Sequence, residues 1–358
     1  MRRICKVCLL FVFVSIFSLV QAQDIHFTQF YMSPLNLNPA LTGVMNCKTR
    51  MVLNYRNQWA AVLKANAYNT FSASYDQKIA VGREDYFGIG GSIWGDVAGA
   101  SRFGTTQGRL SLSYSKKMAG YRKKASYLVI GADAALTQRS ISEEDLRWPS
   151  QINGSGTGEA IANQQFLYGD LAAGLLWFSI IDDYTNWYFG AAVHHLNRPN
   201  VSFYRQSGAE SQAELSSRFT IHAGLQYPLQ KRISILPFGV YMAQGPHMEV
   251  NAGANLRFAL GPSRTTNQSW EIGTWYRIGR KTTGFTGEGI NREESTAIHS
   301  DALILSTRFN YENFGLGFSY DINVSGLRAA NPFNGAFEFS MVYNICGPEN
   351  RGVYCPRF

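Results

Sequence analysis

Charged residues are scarce in this chain: Asp, Glu, Lys and Arg make up 16% of its 358 residues, against roughly 25% in a typical soluble domain. Long apolar runs are scarcer still, and the mean hydropathy is slightly negative, so a bundle of membrane-spanning helices is excluded. Cysteine is rare, at five residues, and the spacing of Cys47, Cys346 and Cys355 follows no zinc-binding pattern. Gly88, Gly90 and Gly91 miss the spacing of a dinucleotide loop. No serine occupies a nucleophile elbow, and nothing fixes a base and an orienting third group beside one. The expected chain is therefore not an enzyme and carries no cofactor or metal. A formal charge of +8 is too small a surplus on this length to imply nucleic acid.

What is present begins with Leu9 to Val20, the one apolar run, preceded by Arg2, Arg3 and Lys6 and followed by Gln21-Ala22. This is the pattern of a secretory signal peptide, too short to span a bilayer. Cleavage after Ala22 leaves 336 residues and, with the loss of three cations, a charge of +5. Glycine (34 residues) and aromatics (14%) are both abundant, a composition that favours many twisted strands over helices.

The rest of the chain alternates with a period of two. Met248, Val250, Ala252, Ala254, Leu256 and Phe258 point one way, and Glu249, Asn251, Gly253, Asn255 and Arg257 the other. The same split recurs in Phe314 to Ser325, Phe337 to Ile345 and Tyr127 to Thr137. Such runs match the roughly 9 to 11 tilted residues that cross a bilayer and exceed the usual soluble strand of about 5 or 6. Aromatics gather at their ends, as in the girdles of outer-membrane barrels. The fold expected is an all-β transmembrane outer-membrane barrel of about fourteen antiparallel strands. These begin near Arg50, Ala67, Tyr86, Gly108, Ala125, Gln165, Trp187, Ser217, Arg232, Met248, Trp270, Ala302, Asn313 and Ala336.

The domain reading is a signal peptide (1–22), an N-terminal plug or docking segment (23–46), the barrel (47–346) and a C-terminal periplasmic tail (347–358). Long connections at Arg139 to Asn163, His194 to Glu214 and Arg280 to Ser300 face outward, and short turns face the periplasm. Of the three mature cysteines, Cys346 and Cys355 have the lowest closure cost and are the candidate disulfide, although sequence alone leaves the pairing open.

Phe27-Thr28-Gln29-Phe30-Tyr31-Met32-Ser33-Pro34-Leu35-Asn36-Leu37-Asn38-Pro39-Ala40-Leu41-Thr42-Gly43, followed by Asn54-Tyr55-Arg56-Asn57-Gln58-Trp59, closely resembles the opening of the PorP/SprF family. These are outer-membrane proteins associated with the type IX secretion system of Bacteroidota. The likeness continues in His194 to Asn200, Gln244 to Val250, Ser319 to Asn323 and Cys355 to Phe358. It implies an accessory barrel, not the translocation pore, that assists secretion or surface attachment of a specific large passenger such as an adhesin, in some members with a link to gliding. Its implied partners are a secreted passenger with a C-terminal secretion signal, other type IX components in the outer membrane and periplasm, and the lipid bilayer. The alternative is a general porin with an open polar lumen.

Four groups of residues bear on that choice. Phe27, Phe30, Tyr31, Leu35, Asn38 and Pro39 make the N-terminal segment too apolar for a free periplasmic tail. It is expected to fold into the periplasmic mouth or lumen, the alternative being an exposed docking peptide. Inward-pointing Arg56, Arg109, Arg218, Arg257, Arg277 and Arg308 nearly match Asp76, Asp133, Glu249, Glu271, Asp321 and Glu338 in number, which favours paired charge over a selective pore. Trp148, Pro149, Phe203, Tyr204 and Phe285 on the long loops are candidate partner-binding anchors. His194-His195, Asp182-Asp183 and Glu143-Glu144-Asp145 read as structural or solvated groups, because adjacent strand residues face opposite sides and no calcium-loop spacing is present.

Overall fold

In the computed structural model, the described residues are 24–346, apart from 121–123, 143–145, 147–150, 152–153, 155–160, 162–163, 183, 204–212, 262–267, 287–292 and 327–334 and the side chains of 281–296. They form a closed barrel of fourteen antiparallel strands in which each strand pairs with its sequence neighbours and β1 pairs with β14. The strands are β1 (Thr49–Gln58), β2 (Tyr68–Val81), β3 (Asp85–Ala98), β4 (Phe103–Ala119), β5 (Ala125–Ser140), β6 (Gln165–Ile180) and β7 (Asn186–His194). They continue with β8 (Arg218–Gln230), β9 (Ile233–Gln244), β10 (His247–Ala259), β11 (Ser269–Thr286), β12 (Glu293–Tyr311), β13 (Phe314–Asn323) and β14 (Ala336–Ile345).

Closure leaves no free sheet edge, which is the condition for a sheet to cross hydrocarbon. Alternation then decides the two faces. On β5, Leu128, Ile130 and Leu136 face out while Tyr127, Val129, Asp133 and Thr137 are buried inside; Ile130 is 58% exposed and Val129 fully buried. On β10, Glu249, Asn251, Asn255 and Arg257 face inward and Ala252 and Leu256 outward. Tyr55, Tyr75, Trp177, Tyr227, Trp270, Tyr276 and Tyr343 are among the exposed aromatics of the outer face.

Both ends of the barrel sequence lie at one end of the cylinder, together with the short turns 82–84, 231–232 and 312–313. The opposite end carries the connections 141–164 and 195–217. We call these the turn end and the loop end; in outer-membrane barrels they are periplasmic and outward respectively. One expected loop is mostly strand. Pairing of β11 with β12 continues past the bulges at Arg277/Ile278 and Thr282/Gly284 out to Thr286↔Glu293, so Arg280 to Ser300 is largely a projecting hairpin.

A disulfide joins Cys47 to Cys346, with Cα atoms 4.3 Å apart. This corrects the candidate Cys346–Cys355 pair. Closure cost along the chain was the wrong criterion, because Thr49↔Ile345 register on the β1–β14 seam already brings the two ends of the barrel together. Cys355 and the tail 347–358 lie outside the described residues.

Candidate functional site

Residues 24–45 run through the lumen. They fold into three short turns of helix, α1 (Pro34–Leu37) flanked by 3₁₀ turns at Phe30–Met32 and Pro39–Leu41. Prolines at the first positions of two of these turns fix φ where no amide hydrogen is needed. Phe27, Phe30, Tyr31, Leu35, Asn38 and Pro39 are all buried. Tyr31 stacks against both Trp275 and Phe238 at 5.4 Å from each, those two rings lie 6.0 Å from one another, and Phe30 meets Trp275 edge-on at 5.7 Å.

An irregular segment has backbone groups that no ladder satisfies. Here the barrel wall supplies the partners. Glu338 on β14 accepts the N–H groups of Thr28 (2.7 Å) and Gln29 (2.9 Å). Arg109 on β4 donates to the carbonyl of Leu35 (2.9 Å), Ser113 to Thr42 (2.6 Å), Arg50 to Leu41 (3.1 Å) and Lys78 to Met45 (3.0 Å). Asn38 is the central tie: its amide donates to the carbonyls of Leu175 on β6 (3.1 Å) and Ala191 on β7 (3.2 Å) and lies 3.0 Å from Nε2 of His222 on β8. Its Oδ1 accepts the Ala40 N–H at 2.8 Å. Two wall glycines make room for this seat. A Cβ on Gly174 would collide with the Asn38 side chain, and one on Gly131 with the backbone of Pro39 and Ala40. Gly88 likewise faces the Thr42 carbonyl.

Inward charges are paired. Arg50 meets Asp76 at 2.7 Å, Arg56 meets Asp321 at 2.9 Å and Glu338 at 3.5 Å, and Arg277 meets Asp321 at 2.9 Å. Arg109–Asp133 and Arg257–Glu271 are looser, at 3.5 and 3.8 Å. Space remains at the turn end, where a cavity of about 140 Å³ is lined by Val44, Met45, Phe238, Arg257, Glu271 and Arg308.

At the loop end, His195 bridges two acids. Its Nδ1 lies 2.8 Å from Asp170, its Nε2 bonds Asp24, and Arg218 approaches Asp24 at 3.3 Å. Burial alone would lower the imidazole's pKa, but attraction to Asp24 and the bonds to Asp170 and Asp24 outweigh it and raise the pKa to about 9. The Asp24 carboxyl, which burial would push up, is held well below its ordinary range by the same imidazole. His194 and His195 both face inward because His195 lies past the end of β7 with φ +58°, which breaks the alternation. Sequence reading offered no sign of that backbone turn.

Of the five rim residues, Trp148, Pro149 and Tyr204 lie outside the described residues, as does the side chain of Phe285. Phe203 is half-buried and packs edge-on against Phe166 (5.1 Å) and Phe103 (6.1 Å).

The separated sequence stretches meet on the luminal segment. Asn54 donates to the Met32 carbonyl (3.2 Å), Arg56 and Asp321 hold the Thr28 hydroxyl, His194 faces the Leu37 carbonyl (3.3 Å), and Glu249 lies 3.7 Å from His26. Residues 19–343 match the family described as type IX secretion system membrane protein PorP/SprF. The chain belongs to the PorP/SprF family. It is accordingly an outer-membrane β-barrel of type IX secretion. Among solved structures it is similar to CdiB from Escherichia coli (7% identity, TM-score 0.46, 83% of this chain and 62% of that one), so it spans less than two thirds of that protein. It is also similar to a deltaS2 mutant of the TodX monoaromatic hydrocarbon channel (8% identity, TM-score 0.44, 90% and 94%) and to BamA from Haemophilus ducreyi lacking POTRA domains 1–3 (8%, TM-score 0.36, 83% and 70%). No curated protein matches the chain.

Proposed function

We propose that this PorP/SprF protein is a closed accessory barrel that holds or guides one large secreted passenger, such as an adhesin, at the cell surface, rather than a diffusion channel. The observation that supports this reading is the luminal segment, which is seated on all fourteen strands. Asn38 ties β6, β7 and β8, and Arg50, Asp76, Gly88, Arg109 and Gly131 seat it on β1 to β5. Gln244, Asn255 and Trp275 hold it on β9 to β11, and Ser306, Asp321 and Glu338 on β12 to β14. A filled lumen with paired charge leaves the work to the two mouths and the loops. The passenger would meet the loop end, and the periplasmic components of the secretion machine the turn end. Co-purification of the tagged barrel from native outer membranes, followed by mass spectrometry, is expected to bring down a large secreted protein together with type IX components. Recovery of the barrel with neither, in a form that conducts small solutes, would favour the porin reading.

A further inference from the structure

The direction of the luminal segment carries a consequence that neither the family nor the fold supplies. Its first and last contacts lie at opposite ends of the barrel, and between them the path folds back once, where Asn36 and Leu37 return to Arg218 and His194 at the loop end. Asp24 is held at the loop end: its N–H donates to Gln244 (3.0 Å), the last residue of β9, and its carboxylate is gripped by His195, just past β7, and Arg218, the first residue of β8. Thr28 bonds Glu338 and Asp321, still in the loop-end half of β14 and β13. Asn38 reaches the middle of β6 at Leu175. Thr42 meets Ser113 toward the turn end of β4, Met45 meets Lys78 near the last residues of β2, and β1 then begins at the turn end.

Both ends of the barrel proper are at the turn end, yet the segment that precedes β1 climbs the whole lumen and leaves it at the opposite mouth. We infer that the amino terminus of the mature chain is displayed on the outward face of the membrane, threaded through its own barrel, where residues 24–26 form part of the floor of the outer mouth. The wall holds this course from end to end: Gln244 and Arg218 bind Asp24 at the loop end, and Arg50 and Lys78 bind the carbonyls of Leu41 and Met45 toward the turn end, all four from buried side chains on strands. A leader of some twenty residues carrying Arg2, Arg3 and Lys6 would have to sit at the outer mouth if it stayed attached. As a surface for the passenger this rests on the proposed function, but the topology does not.

An epitope inserted between Gln23 and Asp24 of the full-length protein, expressed in its native outer membrane, tests the topology. Antibody is expected to stain intact cells as strongly as permeabilised ones. Staining that appears only after permeabilisation overturns the inference. If the insertion abolishes the heat-modifiable folded form, Ile25→Cys in a Cys355→Ser background replaces it, probed with a membrane-impermeant maleimide. Modification on intact cells is then the expected result, and its absence there overturns the inference. Neither readout involves a passenger, so failure here and failure of the accessory reading are told apart by co-purification.

Discussion

The amide of Asn38 lies 3.0 Å from Nε2 of His222 while donating to the carbonyls of Leu175 and Ala191, so one side chain of the luminal segment ties three neighbouring strands together. The residue is fully buried.

Asn38→Ala should therefore loosen the segment. It leaves the Ala40 N–H and a histidine nitrogen short of a partner, at a cost of about 1–3 kcal/mol for each stranded group, and removes an added bond to each of two wall carbonyls. Susceptibility of residues 24–45 to limited proteolysis in detergent should rise, and the temperature of heat modification should fall. An unchanged variant would show that the segment is seated by its apolar side chains alone.

The His195 bridge sets a pH window. A histidine whose pKa is raised in the folded state contributes fully below its ordinary value near 6.5 and loses that contribution as pH rises through about 9. Asp24, with a lowered pKa, contributes above its ordinary value near 3.8 and loses only on acidification. A spin label at position 25 should be immobile at pH 5–6 and gain mobility as pH passes 9. His195→Gln should abolish that dependence.

Conductance follows from the filled lumen. The wild-type barrel in a planar bilayer should pass little current. Deletion of residues 24–45, provided the barrel still folds, should open steps of a wide pore, since the wall left behind carries buried charged and polar groups such as Arg56, Arg109, Asp321 and Glu338 beside its apolar cluster. Large steady conductance of the wild type would contradict a closed lumen.

Ala252 lies on the outward face of β10 and is exposed there. Ala252→Arg at mid-bilayer depth should cost about 2–4 kcal/mol. At Gly253 the same change acts instead by collision with Trp275 inside. Folding yield into detergent or liposomes distinguishes the two, and wild-type yield for Ala252→Arg would mean that its face is not in lipid.

Non-reducing peptide mapping should recover Cys47 linked to Cys346. Serine at either position should lower resistance to denaturation by about 2–5 kcal/mol, whereas Cys355→Ser should leave the map unchanged.

The barrel was legible because a bilayer imposes one rule on every strand: residues such as Ile130 face lipid and their neighbours such as Val129 do not. Strand starts agree closely at Ala125, Gln165 and Ala336. They diverge at β12, where hydrogen bonding continues beyond the apolar stretch and alternation against lipid stops being informative. That Phe30, Tyr31 and Leu35 needed cover could be read from their apolarity beside Pro34 and Pro39. The height reached by the segment could not, since it depends on partners such as Gln244 and Glu338 more than 200 residues away. The expectation of a segment folded into the periplasmic mouth or lumen left its extent open; residues 24–45 occupy the lumen from the turn end to the loop end. His195 escaped for a local reason, a left-handed backbone at a non-glycine residue, and the disulfide escaped because closure of the barrel outweighs distance along the chain.

The Cys47–Cys346 bond makes the barrel a hoop. A seam held by hydrogen bonds alone gives way pair by pair from whichever end is loaded, as a zipper does. The bond fastens the β1–β14 seam at the turn end, so tension applied there is carried by covalent chain. The luminal segment joins the hoop at Cys47 itself, on the fastened side. A machine that grips this barrel from the periplasm can therefore bear load on the wall without pulling the threaded segment out of its seat.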